Sequence, residues 1–282
     1  MIPPMDRVEA IKQLAAQSER GELTFPTNID ATLKIQRIFD DPDCHIEDVT
    51  RLMMVEPYLS ARVVAVANSA AYNRSGKEIT DVRSAISRLG FRSLHALVTA
   101  VIARQFAGMI TDPELRKKSD QLWEHTAHVA ALSHLIAKRV TKQDPETALF
   151  AGIIHEVGGF YLLSRAHLYP GLLDGEPEEW VENGERAISQ AVLKRLSIPE
   201  PVMEAVEALW NGYLALPPVT LGDTLILANN LAPVESPLHQ PRDEKARESK
   251  AAIDSMIGDE TLGSILEESQ DDVKSLTAAL KT

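Results

Sequence analysis

Apolar residues recur along this chain at helical spacing, and alternating β-branched segments bounded by turns are almost absent, so an all-α fold is expected. Ile29, Leu33, Ile35 and Ile38 form one stripe that should end at the DDPD turn around Pro42. Val49, Leu52 and Met53, then Leu59, Val63, Val64 and Val66, outline two helices parted near Pro57, whose ring is tolerated at a helix start but not in its middle. The stretch ANSAAYNRSGKEIT reads as a loop. The next helix, TDVRSAISRL, should stop at Leu89–Gly90, where glycine takes a left-handed cap, before the apolar helix SLHALVTAVIARQF begins.

Two helices joined across a glycine raise the question of a DNA-reading helix-turn-helix. The second of them offers base edges only Arg92, His95 and Arg104 among Leu, Val and Ala, which is the composition of a core helix. A new unit should open at TDPEL, where Asp112 can cap a helix with Pro113 in its first position. Two long helices follow, one carrying His125, His128 and His134 and the other His155 and Glu156, with more expected at 182–196, 200–210 and 220–231. The stretch ESPLHQPRDEKARESK reads as an exposed linker, and 252–282 regains helical spacing through Ile253, Met256, Leu262, Ile265, Leu266, Val273, Leu276 and Leu280. The expected division is an extension over 1–19, a helical module over 20–110, a second bundle over 111–235, and a linker with helical tail over 236–282.

Composition is that of an ordinary globular chain, 44% hydrophobic and 25% charged over 282 residues. The longest apolar runs, HALVTAVIA and ETALFAGIIH, are interrupted short of the roughly 18 residues of a membrane span. The start MIPPMDRVEA has no secretory pattern, and the single Cys44 cannot form an internal disulfide, so a cytoplasmic location is expected. Residues 1–110 carry 13 basic and 13 acidic side chains, whereas 111–282 carry 16 and 28. The acidic second half argues against duplex DNA as a partner. Arg74, Lys77, Arg83, Arg88 and Arg92 make a locally basic stretch, which is either a solvated helix face or a patch for an anion or a partner protein.

The chemistry to weigh is the run ALFAGIIHEVGGFYLL, which sets His155 beside Glu156 in apolar surroundings. With His125 and His128 three apart on another helix, imidazole and carboxylate donors could gather around a divalent metal. Satisfied core histidines are the plainer reading.

The sequence DDPDCHIEDVTRLMMVEPYLSARVVAVANSAAYNRSGKEITDVRSAISRLGFRSLHALV resembles the amino-terminal module of the bacterial HDOD (HD-related output domain) proteins of signal transduction. The resemblance runs through Glu56–Pro57, through the ANSA.Y element containing Asn68, Ser69 and Tyr72, and through AI.RLG ending at Leu89 and Gly90. LWEHTAHVAALSHLIAKRV and ALFAGIIHEVGGFYLL are similar to its HD-like part, and the likeness covers about residues 20–235.

HD phosphohydrolases, distant relatives of that part, hold a metal with an early His, a His-Asp pair and a late Asp. Carried across, these positions fall on His125, on His155 with Glu156, and on Asn229. Asparagine is a neutral and poorer ligand, and glutamate moves its carboxylate outward by a methylene. Gly159 stands where a lysine often follows, Glu185 where a histidine is common, and Leu209 and Trp210 where paired histidines are common. The resemblance thus implies a two-part helical bundle, an amino-terminal module plus a degenerate HD-like bundle, with His125, His155, Glu156 and Asn229 as vestiges of a metal site. No cofactor is expected. The implied role is a non-enzymatic signalling output or scaffold that binds another signalling protein, away from membranes. The alternatives are a metal-dependent phosphohydrolase of nucleotides or cyclic dinucleotides, and a sensor that binds such a nucleotide without turnover.

Overall fold

A computed structural model describes residues 6–24, 38, 44–54, 57–108, 110–240 and 262–281 of the chain. Among these residues there are helices and turns and no strand. The stripe residues Ile29, Leu33 and Ile35, the DDPD turn, Glu56, Ile253 and Met256 lie outside the described residues.

The helices are α1 (Arg7–Glu19), α2 (Ile46–Met53), α3 (Pro57–Ala67), α4 (Val82–Gly108), α5 (Pro113–Ile136), α6 (Pro145–Ile154), α7 (Val157–Arg165), the single turn α8 (Pro177–Trp180), α9 (Arg186–Arg195), α10 (Glu200–Asn211), α11 (Leu221–Leu231), α12 (Leu262–Glu268) and α13 (Gln270–Lys281). Their starts follow the chemistry of their first residues. Asp112 accepts from the N–H groups of Glu114 and Leu115, and Pro113 holds the first helical position, where its missing N–H costs nothing. Asp144 caps α6 in the same way through Thr147 N–H, ahead of Pro145.

The helix that starts at Val82 is interrupted at Gly90, where the glycine predicts its end, and a second helical stretch follows at once, so that α4 is two helices joined across a kink. Gly90 has φ 78° and ψ 168°, a positive-φ extended conformation open essentially to glycine, and the chain kinks there and continues. The kink lets α4 lie along α3 with one half and along α6 and α7 with the other. One hydrophobic core therefore runs from Val63 in α3 and Leu97 in α4 to Phe150 in α6 and Phe160 and Leu162 in α7. Read by length and composition alone, Val82–Phe106 and Pro145–Leu168 reach a membrane-span threshold. The first is broken at Gly90, the second at His155–Glu156, and most of both is buried inside the bundle.

Two segments sit differently from the sequence expectation. Within the expected extension, Arg7–Glu19 is a helix whose Ala10, Ile11 and Leu14 are buried against α9 and the turn before it. Residues 236–239, expected in an exposed linker, turn back into the bundle, burying Ser236 and Leu238. At the far end α13 lies along α5 and α3, burying Leu276 and Leu280.

Candidate functional site

His155 and Glu156 occupy the two-residue break between α6 and α7. The break turns both side chains toward α5, where His125 projects from the middle of the helix, and all three are buried. His155 Nδ1 donates to the Gly152 carbonyl at 2.8 Å, and His125 Nδ1 donates to the Val234 carbonyl at 2.7 Å. These bonds fix both tautomers and point both Nε2 atoms inward, 3.2 Å apart. That contact is a hydrogen bond only with one proton between the two nitrogens. Glu156 Oε1 stands 4.0 Å from His125 Nε2.

On its other side Glu156 meets a residue that the sequence reading left in the linker. His239 Nδ1 is 3.2 Å from Glu156 Oε1, and His239 Nε2 is 2.8 Å from Glu185 Oε1. Burial alone would raise the Glu156 carboxyl, but the charge and hydrogen bond of His239, backed by His155 and His125, hold it well below the carboxylate range. Burial also opposes charge on His239, yet Glu156 and then Glu185 outweigh it and push the imidazole up to about 10. The His239 ring thus lies between the carboxylates of Glu156 and Glu185, with the His125 and His155 rings on the far side of Glu156.

Whether these residues fit a divalent cation depends on what already faces the donors. His125, His155 and Glu156 lie within 4.8 Å of one another, and imidazoles held through Nδ1 with Nε2 inward suit a metal. The remaining sides do not. The carboxylate oxygen that would receive the cation already faces the His239 imidazolium. Asn229, which the resemblance puts in the position of the late Asp, is buried, and its Oδ1 has no hydrogen-bond partner among the described residues. A neutral amide adds little hold on a cation. The set does not fit a resident metal.

A cavity of about 260 Å³ opens beside the cluster, lined by His125, Asn229, His239 and residues of the 230–240 segment. Among the described residues no lysine or arginine lines it, and Glu235 does. Sites for drug-sized ligands run from roughly 300 Å³ upward. Gly159 explains part of the closure: a Cβ there would lie 2.7 Å from Leu238 Cδ1 and 3.1 Å from Glu156 Oε2. The missing lysine is therefore also the space that Leu238 uses.

The other predicted residues lie elsewhere. His128, one turn from His125, is half-buried beside the tail helix and takes no part in the cluster. His134 pairs with Glu146 at 3.4 Å. Asn68 clasps the loop end through both its amide atoms, donating to Ile79 C=O at 2.7 Å and accepting from Ile79 N–H at 2.8 Å. Ser69 donates to Val66 C=O, and Tyr72 donates to Glu146. The arginines of the basic stretch each have internal partners: Arg74 pairs with Asp272, Arg83 with Glu47 and Arg92 with Asp144, while Arg88 donates to the carbonyls of Ala67 and Lys77. Exposed pairs of this kind contribute little and leave the face open to other anions. Lys77 is exposed.

The resemblance points to neither His239 nor, except as the place of a lost histidine, Glu185. The available signal was the SPLH run, a turn-forming Ser-Pro followed by an apolar residue and a histidine inside a charged stretch.

Comparison with known proteins agrees with this architecture. The profile of the HDOD domain matches residues 25–211. A relative from Treponema pallidum, called an uncharacterized protein, is 26% identical over 220 residues; the alignment takes in 71% of this chain but only 38% of that protein's length. A solved structure from Shewanella amazonensis, named "Putative metal-dependent phosphohydrolase", superposes with a TM-score of 0.75 at 23% identity, covering 98% of this chain and all of the other. Another, from Marinobacter aquaeolei VT8 and named "Putative signal transduction protein", gives 0.60 at 16% identity, covering all of this chain and 68% of its own. Identities at this level carry the fold and not the activity.

Proposed function

We propose, from the premise that this chain belongs to the HDOD domain family, that it is a signal-transduction module acting through another protein in the cytoplasm and carrying out no hydrolysis. The family and the signal-transduction name of one structural relative support the signalling role. The observation that carries the non-enzymatic part is the closure of the HD-like centre by the chain itself. A phosphohydrolase of this type needs a cation to lower the pKa of its water and a positive group to meet the phosphate. Here His239 faces the carboxylate, and among the described residues no Lys or Arg lines the adjoining cavity. Asn229 and Gly159 stand where the second carboxylate and the lysine are expected.

The hydrolase reading has one observation in its favour, the approach of His125, His155 and Glu156 to within 4.8 Å of one another. Assays of the purified chain with Mn²⁺ or Zn²⁺ on a phosphodiester and on cyclic dinucleotides separate the two. No turnover is expected, and Glu156→Gln should leave signalling intact if the fold survives. Turnover that disappears in Glu156→Gln overturns the proposal. Saturable binding of a cyclic dinucleotide without turnover would instead establish the nucleotide-sensor alternative.

A further inference from the structure

We propose that residues 232–240 fill the HD-like centre as a built-in occupant, with the His239 side chain standing where a cation would otherwise serve the buried carboxylates. This rests on the non-enzymatic reading above and adds the group that closes the site.

The segment is tied down along its length. Helix α11 ends at Leu231, and Ala232 turns the chain out of helical geometry with φ −61° and ψ 129°. Val234 C=O then accepts from His125 Nδ1, and Glu235 C=O accepts from Gln121 Nε2 at 3.0 Å, so two consecutive carbonyls are held by side chains of α5. Ser236 Oγ accepts from Leu238 N–H at 3.3 Å and lies 3.1 Å from His239 Nδ1, shaping the turn that presents the ring. Leu238 is buried over Gly159, in space that any side chain at 159 would need.

The ring itself is what the two carboxylates require. Glu156 and Glu185 are both buried, and two buried carboxylates without a counter-charge are strongly unfavourable. His239 Nε2 is hydrogen-bonded to Glu185 at 2.8 Å, and Nδ1, 3.1 Å from Ser236 Oγ, lies 3.2 Å from Glu156 Oε1, so the ring spans the two carboxylates. His125 and His155 meanwhile keep Nε2 atoms 3.2 Å apart beside Glu156. Taking the imidazole away leaves two imidazole donors and an uncompensated carboxylate around one point, a donor set that suits Zn²⁺.

The test is to titrate the full chain, His239→Ala and His239→Gln with ZnCl₂, following heat of binding and melting temperature. The wild-type chain is expected to show no stoichiometric site and no change in melting on EDTA treatment. His239→Ala should melt lower and then recover by about 5 °C or more as it takes up about one Zn²⁺, since a ligand that binds only the folded state raises its stability. Adding His125→Ala to that variant should abolish the recovery, which places the ion at this site. If His239→Ala cannot be obtained folded even with Zn²⁺, His239→Gln, whose amide can still donate to a carboxylate, is held to the same gain over wild type. Failure of the folded variant to gain Zn²⁺ over wild type, or gain that survives His125→Ala, overturns this proposal while leaving the non-enzymatic reading in place. A wild-type chain that binds about one Zn²⁺ at His125 overturns it as well, and turnover on top of that overturns both.

Discussion

The Tyr72 hydroxyl donates to the Glu146 carboxylate at 2.5 Å, joining the loop between α3 and α4 to the first turn of α6. Ser93 donates to the same carboxylate oxygen, His134 approaches the other at 3.4 Å, and the Tyr72 and His134 rings lie 5.5 Å apart. Burial and the neighbouring Glu146 charge raise the Tyr72 phenol well above its usual range, so it stays a donor. Burial would raise Glu146, but the hydrogen bonds from His134, Ser93 and Tyr72 outweigh it and keep the carboxyl ionised. Tyr72→Phe keeps the ring and removes one of the donors. It should lower stability by about 1.5–3 kcal/mol, the range for a hydrogen bond to a charged group. Urea unfolding checks this, and an unchanged midpoint would show that the bond adds nothing net.

Asn68 holds both polar atoms of the Ile79 backbone. Asn68→Ala leaves that N–H and C=O without their partner and should cost about 2 kcal/mol. Asn68→Asp can accept from the N–H but cannot donate to the carbonyl, and should be destabilised as well. Melting temperatures of both variants, set against binding of whatever partner is identified, separate the roles. A variant that melts like wild type yet loses the partner would make the motif a contact site rather than a clasp.

The His239–Glu156 pair predicts a pH profile. His239 is raised from 6.5 to about 10, so its contribution is full below about pH 6.5 and is lost as the pH rises through about 10. Glu156 is lowered from 4.5, so its contribution is present above about pH 4.5 and is lost as the pH falls below that. The stability of wild type relative to His239→Gln should therefore be greatest between about pH 4.5 and 6.5 and should shrink toward pH 10. Thermal melts across that range measure it; a difference that stays constant from pH 6.5 to 10 would mean that the ring is not charged.

How much of this was legible in the sequence follows from the range of the forces involved. The helices were readable because caps such as Asp112–Pro113 and the apolar spacing act within a few residues. The break at Gly90 was legible because only glycine takes its positive φ at no cost, whereas the angle between the two helical stretches depends on the packing of α4 against α3 and α6. His125, His155 and Glu156 were recognisable through their similarity to an HD pattern. His239 was not, because it lies 83 residues beyond Glu156, and what places it is the turn at Ser236 and the hole over Gly159. The tail helix showed its spacing, but not where it would dock.

Gly159 allows a graded test of the closure. A methyl group there comes within 2.7 Å of Leu238 Cδ1, the mobile end of a side chain, and within 3.3 Å of Leu122 Cδ2. Gly159→Ala should therefore cost about 1–2 kcal/mol, as small overpacking does. Gly159→Leu cannot be absorbed and should expel Leu238, raising amide exchange through 234–239 before the rest of the bundle loosens. Equal protection of that segment in both variants would show that Leu238 does not depend on the missing side chain.

The tail helix offers the last prediction. The Leu280 carbonyl accepts from Trp123 Nε1 at 3.2 Å and also from Arg62, Lys281 pairs with Glu124 at 2.6 Å, and Ser275 Oγ accepts from Ala70 N–H at 3.0 Å. These bonds tie α13 to α5 and to the end of α3, while Leu276 and Leu280 carry the apolar contact. The two kinds of interaction should differ in weight. Trp123→Phe removes one donor, leaves Arg62 on the same carbonyl, and should cost about 1 kcal/mol. Leu276→Ala opens a cavity in a fully packed site and should cost about 2–5 kcal/mol. If α13 is part of the cooperative unit, the Leu276→Ala loss appears in global unfolding, with the midpoint falling and the denaturant slope unchanged. A loss confined to amide exchange within 270–281, with the global midpoint at its wild-type value, would instead make the tail a separately opening element over α5.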